Sequence, residues 1–135
     1  MSDQSGALQR ILYVEDDEAI RAVAQLALEL VGGFELKSCE SGSEALAAVN
    51  GPAPFVPDLI LLDVMMPQMD GPAVLEALRA LELTRATPAI FMTAKVQPAE
   101  VAHFKSLGAL GVIPKPFDPM TLAASVREMW AAGHG

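Results

Sequence analysis

Five short runs of apolar, β-prone residues punctuate the chain, at Ile11–Val14, Phe34–Ser38, Leu59–Leu62, Ala89–Met92 and Leu110–Ile113. Between them the apolar residues recur at helical spacing. In the first such stretch Ile20, Val23, Ala24, Ala27, Leu28 and Val31 share one face, and Gly32-Gly33 ends it. The second opens with the capping-box pattern Ser41-Gly42-Ser43-Glu44. A third places Val74, Leu75, Leu78 and Leu81 on one side behind Pro72, and a fourth runs from about Pro98 through Val101, Phe104 and Leu107 to Gly108. The fifth starts at Asp118-Pro119, an N-cap followed by proline at the first helical position, and carries Leu122, Val126, Met129 and Trp130. Five alternations of strand and helix imply an α/β layer fold around a parallel sheet. LILL at Leu59–Leu62 has no polar face, as a strand covered on both sides requires, whereas Phe34–Ser38 alternates and reads as an edge strand.

Composition narrows the function classes. The 135 residues fit one domain, with no internal repeat and no interdomain linker. Nine basic against seventeen acidic residues give a net charge of −8 with no Lys/Arg cluster, which argues against a nucleic-acid or anionic-membrane surface. The single cysteine, Cys39, excludes an internal disulfide and a multi-cysteine zinc site, and reads as an ordinary thiol at a strand end. MSDQSGALQR lacks the apolar core of a signal peptide, and no apolar run approaches the roughly 20 residues of a membrane helix, so a cytoplasmic location is expected. His103 and His134 have no ligand-like neighbours and read as surface histidines.

Ligands of open parallel sheets bind beyond the carboxyl ends of the strands. Glu15, Asp16 and Asp17 follow the first run, Asp63 the third, Thr93, Ala94 and Lys95 the fourth, and Pro114, Lys115 and Pro116 the fifth. Asp16, Asp17 and Asp63 at one edge would repel one another by about 4 kcal/mol per close pair at an effective dielectric of about 20. A hard divalent cation such as Mg²⁺ would offset this, and Lys115 adds a positive charge. The acidic first loop EDDE argues against a nucleotide, whose phosphates favour a glycine-rich loop. Capping of the first helix is an additional role for Asp16 or Asp17, compatible with metal binding.

The segments ILYVEDDE, LILLDVMMPQMDG, AIFMTAK and GALGVIPKPF together resemble the receiver domain of two-component response regulators, from about Ile11 to Trp130. The resemblance implies a flavodoxin-like (βα)5 fold of strand order 2-1-3-4-5, as a single receiver domain over 1–135 with a core at about 10–132 and no output domain. It implies that Asp63 is the phosphoacceptor and that Mg²⁺ (or Mn²⁺) is held by Asp17 directly, with Asp16 a ligand through water or a near neighbour, by Asp63 and by the backbone carbonyl of Met65. Thr93 and Lys115 would bind the phosphoryl group, Lys115-Pro116 would be cis, and Met65 and Lys95 would flank the attacking water and modulate its rate. The implied partners are a histidine kinase or histidine phosphotransfer protein and an unidentified downstream protein, with the chain a monomer or weak dimer. Exposed residues from the fourth helix to the fifth, including His103, Lys105 and Trp130, are candidate contacts.

One position departs from the family pattern. Three residues before the lysine the family commonly has Tyr or Phe, and here it is Val112. With no ring to rotate, signalling is expected to rely on Thr93, the loop after it and the fourth helix. Two further classes compete with the phosphoacceptor: a phosphorylation-independent scaffold, favoured by Val112, and a metal-dependent phosphohydrolase using Asp63. The hydrolase usually needs a second acid two residues after the first, where this chain has Met65.

Overall fold

The computed structural model describes residues 7–134; residues 1–6, Gly135 and the side chain of His134, expected as a surface histidine, lie outside the described set. The apolar runs become parallel strands β1 (Arg10–Val14), β2 (Glu35–Cys39), β3 (Leu59–Asp63), β4 (Ala89–Thr93) and β5 (Ala109–Pro114). They form one sheet in the order β2-β1-β3-β4-β5, the flavodoxin-like arrangement expected. Five helices flank it: α1 (Glu18–Leu26, continued by a π-helical turn at Ala27–Val31), α2 (Gly42–Asn50), α3 (Gly71–Arg79), α4 (Pro98–Ser106) and α5 (Leu122–His134).

Alternate side chains of each central strand enter opposite cores. Ile11, Tyr13, Leu59, Leu61, Ile90, Met92 and Ile113 face α1 and α5, where Ala24, Leu28, Leu122, Val126 and Trp130 meet them. Leu12, Val14, Ile60, Leu62, Phe91 and Val112 face α2, α3 and α4, against Ala45, Val49, Val74, Leu78 and Phe104. Each fully buried Leu or Ile contributes about 2 kcal/mol, so the two cores clamp β3 from both sides. Its Asp63 is thereby held at the sheet edge. β2 sits at the margin with its residues half-exposed up to Cys39, as its alternating sequence implied.

Four local readings differ, the first being Trp130, expected among exposed contacts but buried in the core. Val23 and Val31, expected inside, are exposed; the π-helical turn alters the phase of α1 before Val31. Asp118 does not cap α5. Its carboxylate accepts from the Met120 amide at 2.9 Å and its carbonyl from Leu122, so the chain turns once more before the helix begins. Leu107 follows the end of α4 and is exposed. Among the described residues no helix is long and apolar enough to cross a membrane.

Cys39 closes β2 in a fully buried position, and burial, aided by the charge of Glu44, pushes its thiol up to about 11. The thiolate is the reactive form. The folded protein is therefore expected to resist a disulfide-exchange reagent at neutral pH and to react once unfolded. A fast native reaction would show that β2 opens.

Candidate functional site

The sheet ends evenly at its carboxyl edge, because backbone pairing runs one residue beyond β1, β3 and β5. The Glu15 amide donates to Cys39 at 3.0 Å, Val64 to Met92 at 3.0 Å and Lys115 to Thr93 at 3.0 Å. Glu15, Asp63, Thr93 and Lys115 are thereby fixed at one level. Glu15, Asp63 and Thr93 are buried, and Lys115 is partly so.

Lys115 ties the edge together. Its Nζ donates to Asp63 Oδ1 at 2.8 Å and to Glu15 Oε1 at 2.9 Å. Glu15 Oε2 accepts from the Asp17 amide at 3.1 Å, and the Glu15 carbonyl accepts from Arg21 Nη1 at 2.8 Å. Burial pushes the carboxyls of both Glu15 and Asp63 above the usual range, although Lys115 works the other way. For Lys115 burial favours the neutral amine, but the hydrogen bonds and charges of Asp63 and Glu15 outweigh it and leave the ammonium held above its usual value. One ammonium against two carboxylates still leaves a negative charge, and exposed Asp16 adds another.

The loop after β3 is shaped for this edge. Asp70 caps α3 by accepting from the Ala73 amide at 2.9 Å, and Gly71 donates to the Val64 carbonyl at 2.9 Å. A Cβ at Gly71 would meet the Asp63 carbonyl at 2.6 Å, so only glycine lets the loop close directly on the Asp63 backbone. Gln68 takes φ of 70° within that turn, and the Met65 side chain is exposed. At the end of β4, Thr93 Oγ1 accepts from the Lys95 amide at 3.1 Å. The Lys115–Pro116 peptide is cis, as expected.

The acids sort differently from expectation. Carboxylate oxygens of Glu15, Asp16 and Asp63 all lie within 4.8 Å of one another. Asp17, expected as a direct metal ligand, does not join them; it is the N-cap of α1, its Oδ1 accepting from the Ile20 amide at 2.9 Å. Glu15 is the acid that the motif reading passed over. Its signal was position: Glu15 directly follows Val14, the last residue of β1, so the acids at the edge begin at 15. At this spacing each carboxylate pair repels by about 3–4 kcal/mol at an effective dielectric of about 20, and an all-oxygen set suits Mg²⁺ or Mn²⁺. The donors present fit such an ion.

The family profile described as the response regulator receiver domain matches residues 11–127. The chain belongs to that family. It is 38% identical over 119 residues to the DNA-binding response regulator MtrA of Mycolicibacterium smegmatis, covering 88% of this chain and 49% of MtrA. It is 33% identical over 127 residues to the transcriptional regulatory protein CpxR of Escherichia coli, covering 94% of this chain and 51% of CpxR. The receiver chain thus spans about half the length of these curated relatives. The solved chemotaxis response regulator CheY4 of Vibrio cholerae superposes with a TM-score of 0.80 at 30% identity, over 91% of this chain and 99% of CheY4.

The division of labour among the acids is measurable by titration calorimetry with Mg²⁺. Glu15→Gln and Asp16→Asn are expected to weaken binding by about tenfold or more, because each removes a charged ligand. Asp17→Ala should leave the affinity nearly unchanged while lowering unfolding stability by about 1 kcal/mol, the value of an N-cap. The reverse pattern would restore Asp17 as the ligand.

Proposed function

We propose that the receiver accepts a phosphoryl group on Asp63 from a phosphohistidine of a histidine kinase or phosphotransfer protein, and signals by binding another protein while phosphorylated. The observation that carries this reading is the Lys115 ammonium bound at once to Asp63 and Glu15, beside Thr93 on the neighbouring strand end. A carboxylate so buried is a poor structural choice, but it is well placed for charge that develops during transfer.

An Asp63 carboxylate oxygen attacks phosphorus, the P–N bond to imidazole breaks with its electron pair leaving on nitrogen, and an acyl phosphate forms. Lys115 stabilises the negative charge that moves onto the phosphoryl oxygens. Thr93, whose oxygen already accepts from the Lys95 amide, retains its hydroxyl hydrogen to donate to the phosphoryl group. Glu15, Asp16, Asp63 and the Met65 carbonyl would hold a divalent ion, which would neutralise the clustered oxygens. Water later attacks phosphorus and returns the carboxylate, with Met65 and Lys95 beside its path setting the rate. The chain catalyses no other turnover in this reading and works in the cytoplasm.

Output would follow from a population shift, because the phosphoryl group binds one arrangement of Thr93 and Lys115 better. Val112 is buried between β5 and the α4 side of the sheet and has no ring to move. The work falls to Thr93, the loop after it and α4, whose Phe104 packs on Phe91 with ring centroids 5.0 Å apart. A phosphorylation-independent scaffold is the second reading, and Val112 is its support.

Intact-mass measurement after incubation with acetyl phosphate and Mg²⁺ tests the first step. Wild type should gain one phosphoryl group, labile to base, and Asp63→Asn none. An unmodified wild type favours the scaffold, and rapid turnover of unrelated phosphate esters favours a hydrolase. For output, Val112→Tyr should leave phosphorylation-dependent partner affinity unchanged while Thr93→Ala abolishes it. Equal tolerance of both would remove Thr93 from the switch.

A further inference from the structure

Asp16 stands between two anchors. Behind it β1 ends, where the Glu15 amide makes the last rung to β2 by donating to the Cys39 carbonyl at 3.0 Å. Ahead of it Asp17 caps α1, and the Asp17 carbonyl accepts from the Arg21 amide at 2.9 Å. The carbonyls in between accept from a side chain. Arg21 Nη1 donates to the Glu15 carbonyl at 2.8 Å and to the Asp16 carbonyl at 3.5 Å. Nη2 of the same guanidinium lies 4.0 Å from the Glu40 carboxylate, in the loop after β2. Glu40 is itself fixed, its amide donating to Glu44 Oε1 at 2.7 Å in the first turn of α2. The Arg21 side chain is only 18% exposed, so it ties these two loops together from within.

The atoms that Arg21 holds are informative. A guanidinium beside a carboxylate ordinarily makes a paired, fork-like contact with it. Here it bonds carbonyl oxygens, and the acid it faces, Glu40, lies outside the cluster of Glu15, Asp16 and Asp63. A guanidinium paired with Asp16 would occupy the place that a cation needs. Arg21 instead fixes the backbone of the acids and leaves their carboxylates to Lys115 and to the mouth of the site.

We infer that Arg21 is a positioning residue for the divalent ion: it locks the backbone of Glu15 and Asp16 so that their carboxylates stand ready for the metal. The inference deepens the phosphoacceptor reading above and rests on its ion site. Two effects of Arg21 oppose each other. Its charge repels a cation, whereas its grip spares the ion the entropy cost of ordering the loop. Glu40 offsets part of the charge, so the grip should prevail. Because the two effects have opposite signs, the direction of a change in metal affinity separates them.

Mg²⁺ titration calorimetry tests this on wild type, Arg21→Met, Arg21→Lys and Arg85→Met, the last a remote charge control before β4 at the opposite edge of the sheet. Arg21→Met loses grip and charge together and should bind Mg²⁺ about tenfold more weakly, the usual cost of losing a residue that orients metal ligands. Tighter binding would mean that the guanidinium acts by its charge alone, and it overturns the inference. Arg21→Lys keeps the charge without the fork that spans two carbonyls, so it should fall between Arg21→Met and wild type. Either Arg21 variant matching wild type overturns the inference. So does a loss in Arg85→Met as large as in Arg21→Met. In acetyl phosphate loading, the Mg²⁺ concentration for half-maximal rate should rise in Arg21→Met by the factor seen in calorimetry, a larger change than in the saturated rate. A fall in the saturated rate with an unchanged Mg²⁺ requirement overturns the positioning role. If acetyl phosphate loads wild type at no Mg²⁺ concentration, the phosphoacceptor reading fails, while calorimetry still decides the role of Arg21. A wild type that binds no Mg²⁺ overturns the inference itself.

Discussion

Two buried carboxylates share one ammonium, and the rest of the molecule is arranged so that they can. Glu15 and Asp63 come from strands that lie side by side, and Lys115 arrives from the far edge of the sheet along β5. Alone, either acid would carry a desolvation penalty of several kcal/mol. The pair is tolerable because the backbone pins all three strand ends at one height and the lysine spans the distance between them. Any slip of register in β1, β3 or β5 would separate an acid from its partner and turn its side chain to the other face. This explains why apolar clamping of β3 from both sides matters for a site that contains no apolar group.

The same cluster is deliberately incomplete in charge. Lys115 neutralises one carboxylate equivalent, and the Asp16 carboxylate at the mouth stands within reach of both buried acids. A structure built for stability alone would replace such a group with packed apolar residues, often with a gain of a few kcal/mol. Retaining it makes the edge a place where added positive charge finds ready partners. The Asp63–Gly71 closure brings the loop against the Asp63 backbone, and the missing Cβ is what permits it.

Much of this was legible in the sequence, for physical reasons that differ by residue. LILL and its fellow runs announce strands covered on both faces, since a half-exposed strand would put every second aliphatic in water. Asp63, Thr93 and Lys115 follow directly, each standing just beyond such a run. Asp17 and Glu15 were interchanged because a run of four acids has no period to say which side chain faces inward. The answer lies in the pairing of β1 with β2, which carries Glu15 one step up the ladder. The phase of α1 was also hidden, because apolar spacing fits both an α-helix and one interrupted by a wider turn. Asp118 read as a cap since proline followed it, but its carboxylate closes a shorter turn first.

The sheet also divides the molecule's tasks between its faces. Val112, Phe91 and Phe104 belong to the core beneath α2, α3 and α4, whereas Ala24, Leu28 and Phe117 belong to the opposite one. The two layers meet at the sheet and its carboxyl edge, where β4 and β5 end in Thr93 and Pro114 side by side and the Lys115 amide donates to the Thr93 carbonyl. A rotating ring would carry a signal away from this junction through the α4 layer. With valine in its place, the backbone bond between Lys115 and Thr93 links the residue that holds Asp63 to the loop that leads into α4.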